Sequence, residues 1–309
     1  MEKRVGFVGA GMVGAEAARQ LLSWGIADVR IVDIQGDMAK GKALDMTEAA
    51  PLLGTAAIAL GGDDYGLLEG CEVIIVTAGI PRKPGMSRDD LLKTNISITS
   101  SVCEGIARHA PGSVVIIVTN PLDAIVYAAQ GFLDGVCQVI GMAGALDSAR
   151  FRAFLSMETG VAADDIQAMV LGSHGDAMVP LASSASAGGI PLSVWIDQQR
   201  MSEIITRTQK GGGEIVGLLK TGSAYYAPGV ASARMAKAII LDEGRIMPTC
   251  TRLNGEYGVE GVFMGVPASL GKGGVKKVIE VPLSDEEQGM WEKSLAHVRS
   301  LMGEVDELS

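Results

Sequence analysis

The sequence has fewer basic than acidic residues. Of its 309 residues, 26 are lysine or arginine and 36 are aspartate or glutamate, which gives a formal net charge of −10. A protein that grips a nucleic-acid backbone needs a basic surface, and a strongly acidic chain repels polyanions. The composition therefore excludes a nucleic-acid partner as the first interpretation.

Long apolar runs are missing as well. Stretches such as residues 114–118 are far shorter than the roughly 18 residues that cross a bilayer, so we expect no membrane partner. The opening residues are charged and lead straight into a strand-like segment, unlike a signal peptide. The sequence thus predicts a cytoplasmic protein.

Cysteine and histidine are scarce. The four cysteines are scattered without a C-x-x-C pair, a pattern typical neither of a zinc site nor of a disulfide framework, so we expect reduced thiols and no metal. Three histidines remain for proton exchange near neutral pH. His109 precedes Pro111-Gly112 and suits a helix C-terminus, His297 suits an exposed helix face, and His174 lies in a polar turn after a strand, where catalytic groups often occur.

The first half of the chain alternates β-branched runs with helical periodicity. The pattern predicts strands at residues 5–8, 29–32, 73–77, 114–119 and 139–141, and helices at residues 14–23, 40–50, 89–109 and 122–131. Strands that are apolar almost throughout favour a parallel sheet covered on both faces. This alternation is typical of a doubly wound α/β fold.

The regular alternation of strands and helices ends after residue 142. The pattern there predicts helices at residues 147–159, 201–221 and 227–241, strands at 168–171, 261–267 and 275–281, and a terminal helix that opens with a capping box at Ser284 and Glu287. We therefore predict an α/β protein: an N-terminal Rossmann domain with a doubly wound parallel sheet (residues 1–142) and a C-terminal α+β substrate domain (residues 143–309).

A G-x-G-x-x-G motif follows the first predicted strand and consists of Gly9, Ala10, Gly11, Met12, Val13 and Gly14. With 41 glycines in the chain, the string alone could mark a coincidental turn. Its context favours a dinucleotide site, because the motif opens a helix and Asp33 ends the next strand, where a carboxylate accepts from a ribose hydroxyl. No arginine follows Asp33 directly, which favours NAD over NADP.

His174 could accept the proton of an alcohol if a carboxylate held its tautomer. Asp147 and Asp176 are both candidates. Asp147 also lies three residues before Arg150, so an ordinary ion pair on one helix face stays an open alternative. Two interpretations also stay open for the loop of residues 79–90, which contains Arg82, Lys83 and Arg88. It is either a solvated basic loop or a lid that closes on an anion.

Five ordered segments (residues 9–14, 78–85, 118–123, 146–152 and 172–176) resemble the NAD-dependent lactate/malate dehydrogenase family over nearly the whole chain. The stretch 222–228 is similar to the malate-oxidising members. The resemblance implies NAD as cofactor, a small-molecule substrate, and oxidation of (S)-malate to oxaloacetate by a homodimer or homotetramer. L-lactate or another 2-hydroxyacid is the alternative substrate, and a non-catalytic NAD-binding protein is a remote alternative.

The resemblance also implies roles for single residues. His174 would accept the hydroxyl proton with Asp147 orienting it, and Arg150 would clamp the substrate's C1 carboxylate. Arg88 would polarise the carbonyl and Asn120 would hydrogen-bond the substrate. The resemblance further implies that the cofactor contacts the glycine motif and Asp33, and in addition Asn95, Val118, Thr119 and Asn120. Arg82 would pair with the second carboxylate of oxaloacetate, for which pyruvate offers only a methyl group.

Overall fold

A computed structural model describes residues 2–81 and 87–308. The first half contains strands β1 to β6 and helices α1 to α4. The strands are Arg4–Val8, Asp28–Val32, Ala59–Gly62, Val73–Val76, Val114–Ile117 and Gln138–Gly141. The helices are Met12–Ser23, Gly36–Ala49, Arg88–His109 and Leu122–Phe132.

The second half contains strands β7 to β14 and helices α5 to α8. The strands are Ile166–Gln167, Val170–Gly172, Met178–Pro180, Ser186–Ala187, Ile190–Pro191, Arg245–Asn254, Glu260–Gly271 and Gly274–Val278. The helices are Gly144–Thr159, Gln198–Leu219, Tyr226–Ile240 and Asp285–Leu308.

The six strands of the first half form one parallel sheet in the order β3-β2-β1-β4-β5-β6. Every residue of β2, β4 and β5 is buried, because helices cover both faces and leave no strand face for water. The order reverses between β1 and β4, and ligands bind at such a switch point beyond the carboxyl ends of the strands. The predicted fold class is confirmed.

Antiparallel strands extend this sheet in the second half. β12 pairs with β6 and β13, and β13 also pairs with β8 and β14. The predicted strands at residues 261–267 and 275–281 correspond to β13 and β14, but the sequence pattern missed β12 and β3, as well as the short strands β7, β9, β10 and β11. β12 carries Pro248 in its interior, which argues against a strand, and β3 consists of alanine, leucine and glycine without a β-branched residue.

The terminal helix α8 packs against α4, β9 and β13, where it buries Trp291, Val298 and Leu301. Its predicted capping box is confirmed: the Ser284 amide donates to the Glu287 carboxylate and the Glu287 amide donates to the Ser284 hydroxyl. Within residues 2–81 and 87–308, no helix is long and apolar enough to span a membrane.

Candidate active site

The glycine motif lies between the end of β1 and the start of α1. Gly9 has φ +110°, and a Cβ there would lie 2.5 Å from the Thr77 hydroxyl oxygen. A Cβ on Gly14 would lie 2.1 Å from the Gly9 carbonyl oxygen, so this glycine lets α1 pack directly on the turn. A Cβ on Gly11, by contrast, would meet no described atom within 4 Å. The open face at Gly11, next to the first amides of α1, fits the close approach of a pyrophosphate.

The peptide groups of Ala10 are held from both sides. The Ala10 amide donates to the Asp33 carboxylate at 2.7 Å, and the Lys42 ammonium donates to the Ala10 carbonyl at 2.6 Å. The other carboxylate oxygen of Asp33 accepts from the Gln35 amide at 2.9 Å. Asp33 therefore fixes the backbone of the motif through both carboxylate oxygens. Lys42 is a further residue of this region, which no sequence motif indicated.

Asn95 is 1% exposed and connects two loops at the carboxyl edge of the sheet. Its side-chain amide accepts from the Ile80 amide at 2.9 Å and donates to the Asn120 carbonyl at 2.7 Å. Nearby, the Thr119 hydroxyl donates to the Ala78 carbonyl at 2.6 Å. These bonds set the backbone of residues 118–120, and they leave the exposed Asn120 side chain facing the cavity described below.

Helix α5 carries the partners of His174. His174 Nδ1 lies 2.8 Å from one oxygen of Asp147, and an Arg150 nitrogen donates to the other oxygen at 3.1 Å. The Asp147 side chain is 2% exposed, whereas that of His174 is 20% exposed. Asp147 makes the ion pair on its own helix and also contacts His174, so the two sequence-based interpretations are compatible. Asp176, the other candidate, is exposed.

A second carboxylate holds the backbone of the same turn. Asp123, in the first turn of α4, accepts from the Ser173 hydroxyl at 2.7 Å and from the His174 amide at 2.9 Å. The Ser173 amide in turn donates to the Ser294 hydroxyl of α8 at 2.8 Å. The turn that carries His174 is therefore tied to both α4 and α8.

The charges around His174 favour its imidazolium. Burial by itself lowers the pKa of His174, but the negative charge and hydrogen bond of Asp147, together with the charge of Asp123, outweigh it. Arg150 opposes them, and the net effect is a pKa raised above the ordinary histidine value. The side chain is thus suited to hold and release a proton near neutral pH.

A cavity of about 390 Å³ opens in front of His174. Its walls include residues from α3, the loop before α4, α4, the turn after β8, and α8: Arg88, Leu91, Asn120, Pro121, Leu122, Asp123, His174, His297 and Leu301. Arg88 is the first residue of α3, one position after the Ser87 N-cap. The structure thus brings Arg88, Asn120 and His174 to one cavity, while Arg82 and Lys83 lie outside the described residues.

The other two histidines occupy different environments. His109 ends α3, as the sequence predicts, with Nδ1 3.5 Å from a Glu69 carboxylate oxygen. His297 is half-buried and lines the cavity, whereas the sequence pattern predicts an exposed residue. Ser294, one helical turn earlier, contacts Ser173, so this face of α8 points toward the His174 turn.

Helix α6 contains three consecutive glycines, residues 211–213, which are poor helix formers. A Cβ on Gly211 would lie 2.4 Å from Cδ of Arg150. The absence of a side chain at Gly211 therefore leaves room for the Arg150 side chain against α6. This packing explains the glycine, which helix propensity alone would disfavour. Because the contact joins residues 61 positions apart, the sequence carried no local signal for it.

Two family models match the chain. The NAD-binding domain of the lactate/malate dehydrogenases matches residues 3–134, and the alpha/beta C-terminal domain of the same proteins matches residues 144–308. A curated relative from Rhodopirellula baltica, named malate dehydrogenase, is 48% identical over 99% of this chain and 98% of its own length.

Solved structures agree with these matches. Malate dehydrogenase from Cryptosporidium parvum has a TM-score of 0.95 and 42% identity, covering 99% of this chain and 100% of that one. Lactate dehydrogenase from the same organism, complexed with lactic acid and nicotinamide adenine dinucleotide, has a TM-score of 0.93 and 38% identity, with 98% of each chain covered. The two models together span most of the described residues, and the chain belongs to the lactate/malate dehydrogenase family, with an N-terminal domain of the NAD-binding type.

Proposed function

We propose that this protein is an NAD-dependent dehydrogenase that oxidises (S)-malate to oxaloacetate and catalyses the reverse reduction. The observation that carries the proposal is the 2.8 Å contact between His174 and Asp147 beside Arg150, in a chain 48% identical to a protein named malate dehydrogenase. The experiment that tests it is a steady-state assay of NADH oxidation with oxaloacetate as the acceptor. A protein that bound NADH without turnover would instead fit the non-catalytic alternative.

His174 exchanges the proton in this reaction. Since Nδ1 is held by Asp147, Nε2 is the ring nitrogen left to accept the hydroxyl proton of malate or to protonate the oxygen formed during reduction of oxaloacetate. NAD supplies the hydride acceptor when it is bound. Asp147 stabilises the imidazolium and fixes the ring orientation, so the proton acceptor is already aligned before substrate arrives.

The arginines bind and polarise the substrate. Arg150 presents a planar guanidinium whose fork matches a carboxylate, and one of its nitrogens is already directed by Asp147. Arg88, at the cavity wall, stabilises the negative charge that develops on the carbonyl oxygen during reduction. Asn120 donates a further hydrogen bond to the substrate from the loop that Asn95 holds.

The glycine motif fits NAD on three grounds. Gly9 makes the turn, Gly11 leaves the face open, and Gly14 allows close helix packing. Asp33 lies where the adenosine ribose binds in such folds, and a 2′-phosphate would meet its negative charge. Met12 and Val13 begin α1 beside this turn and would offer their backbone amides to the pyrophosphate, whereas Ala10 acts through the bonds that Asp33 and Lys42 make to its backbone. Residues 118–120 would line the nicotinamide end, where Asn95 holds the loop.

Arg82 is the proposed determinant for malate over lactate. The lactate dehydrogenase of Cryptosporidium parvum matches this chain at a TM-score of 0.93, so the backbone fold does not separate the two substrates. Arg82 would pair with the second carboxylate of oxaloacetate in the closed site. With pyruvate, closure would bury an unpaired guanidinium, which costs several kcal/mol.

Replacing Lys42 by methionine is expected to raise the dissociation constant of NADH about tenfold, because the Ala10 carbonyl loses a charged donor. The kcat at saturating NADH should stay unchanged, since Lys42 bonds the cofactor motif whereas the proton is exchanged by His174 beside Asp147. NADH fluorescence titration measures the constant. Lys40→Met is the matched control, because Lys40 is exposed on the same helix and pairs with Asp37. Equal affinities in the two variants would contradict the role of Lys42.

We further propose that the boundary between the two domains lies between residues 142 and 143. We also propose that the protein assembles as a homodimer or homotetramer. Large exposed apolar side chains support self-association, since a second copy would cover them. Leu44 of α2, Leu52 in the turn after α2, Leu218 of α6 and Tyr226 of α7 are 60%, 90%, 75% and 63% exposed. All four cysteines are buried free thiols, which supports a reducing, cytoplasmic compartment.

A further inference from the structure

Asp123 is a buried titratable group that the acid–base chemistry above does not use. The residue is 2% exposed and lies in the first turn of α4, three positions after Asn120. One of its carboxylate oxygens accepts from the Ser173 hydroxyl and the His174 amide. The other accepts no hydrogen bond of normal geometry from residues 2–81 and 87–308. The nearby Cys250 thiol is a weak donor, and it lowers the pKa of the Asp123 carboxyl.

We propose that Asp123 is a positioning residue of the acid–base site, which sets the place of the His174 ring through the backbone and stabilises the imidazolium as a second negative charge. The inference rests on the proposed function for its catalytic consequence. The acid–base group would then be a histidine between two carboxylates of different elements: Asp147 from α5 on the ring nitrogen and Asp123 from α4 on the main chain.

The hydrogen bonds place Asp123 at the junction of the two halves of the site. It belongs to the segment that begins with Asn120, in the N-terminal half of the chain, whereas Ser173 and His174 follow β8 in the C-terminal half. A side chain that bonds both the hydroxyl of one residue and the amide of the next fixes the direction of that peptide. The distance between the His174 ring and the Asn120 loop is therefore held by Asp123.

The negative charge of Asp123 also acts on the ring. Burial raises the pKa of Asp123, and its bonds to Ser173 and His174 and its attraction to the His174 ring offset that rise only in part, so the net pKa lies above the ordinary aspartate value. The first-turn position favours the carboxylate further, because the helix N-terminus carries partial positive charge. The ionised form is thus favoured most when His174 is protonated, and Asp123 in turn raises the pKa of His174.

Several other charged or titratable groups surround this pair and would respond to the same change. They come from four elements around the cavity and the buried carboxylate: Asp147 and Arg150 of α5, Arg88 of α3, Cys250 of β12 and His297 of α8. Of the negative charges that act on His174, Asp123 and Asp147 are the carboxylates that raise its pKa. Removing either one should destabilise the imidazolium.

The test is Asp123→Asn, which keeps the shape and one acceptor oxygen but removes the charge. The pH profiles of kcat/KM are measured in both directions. The midpoint governed by His174 is expected to move down by about one pH unit in each. Oxaloacetate reduction needs the protonated ring, so its decline with rising pH should begin at a lower pH than in the unmodified protein. Malate oxidation needs the neutral ring, so its relative rate at acidic pH should rise. A purely structural lesion would lower both rates and leave the midpoint in place.

Imidazole NMR titration gives a readout that needs no turnover. The chain has three histidines. His109, at the end of α3 beside Glu69, serves as the internal reference, and the His174→Asn spectrum assigns the His174 signal. The His174 midpoint should fall in Asp123→Asn, and likewise in Asp123→Ser if the first variant does not fold. Ser173→Ala, which removes a hydroxyl bond but no charge, should not lower it.

The outcomes separate the two proposals. An unmoved His174 midpoint in the neutral Asp123 variants, or an equal fall in Ser173→Ala, overturns the role of Asp123 whatever the activity of the protein. Absence of oxaloacetate reduction in the unmodified protein overturns the proposed function, and the NMR titration would still decide whether Asp123 stabilises the imidazolium.

Discussion

Replacement of His174 by asparagine is expected to lower kcat about a thousandfold in both directions, because a positioned acid–base group contributes roughly 10² to 10⁴. The amide can still approach Asp147, whose side chain lies 2.8 Å from the native ring nitrogen, but it cannot hold and release the proton. The NADH dissociation constant should stay unchanged, since the glycine motif and Asp33 are untouched. Steady-state rates and a fluorescence titration measure the two quantities.

His109→Asn is the matched control for this variant. His109 ends α3 beside Glu69 and should be replaceable with turnover close to that of the unmodified protein. If His174→Asn retained most of its activity, His174 would not be the proton carrier. If it lost NADH binding as well, the loss of turnover would reflect a damaged fold.

Replacement of Arg150 by lysine is expected to lower kcat/KM for oxaloacetate about a hundredfold or more. The positive charge stays, but a single ammonium cannot reproduce the two parallel hydrogen bonds of a guanidinium to a carboxylate. Truncating one partner of a buried charge pair typically costs 2 to 5 kcal/mol, or about 30-fold to several thousandfold. The loss should occur mainly in KM for the acid, with NADH affinity preserved.

Arg152→Lys is the corresponding control on the same helix. Arg152 donates to the Ala163 carbonyl at 2.7 Å, away from His174, and its replacement should change kcat/KM little. An Arg150→Lys variant with an unchanged KM for oxaloacetate would contradict the proposed carboxylate clamp. An equal loss in both variants would indicate that the helix, rather than the Arg150 fork, was affected.

The sequence predicted most of the site through patterns that are local along the chain. The glycine motif with Asp33 after the next strand indicated the dinucleotide site, and the scarcity of histidine singled out His174. The residue pattern alone could not choose between Asp147 and Asp176, because Asp147 is 27 residues from His174 and Asp176 two, and it was the family resemblance that implied Asp147. Only the packing of α5 against β8 brings the first of them to the ring.

Other residues were missed because their contacts are long-range. Lys42 reaches the Ala10 carbonyl across 32 positions, and Asp123 reaches the His174 amide across 51. Neither contact leaves a periodic or motif signal in one sequence. Strand β12 was missed for a different reason: Pro248, which a strand interior disfavours, is accommodated opposite Pro267 of β13.

The most direct test of the account compares kcat/KM for oxaloacetate and for pyruvate with NADH, in the unmodified protein and in Arg82→Gln. We expect oxaloacetate to be preferred by at least about a hundredfold, because closure on pyruvate would bury an unpaired guanidinium, and we expect Arg82→Gln to reduce that preference sharply. A preference for pyruvate in the unmodified protein, or a preference that Arg82→Gln left unchanged, would contradict the account.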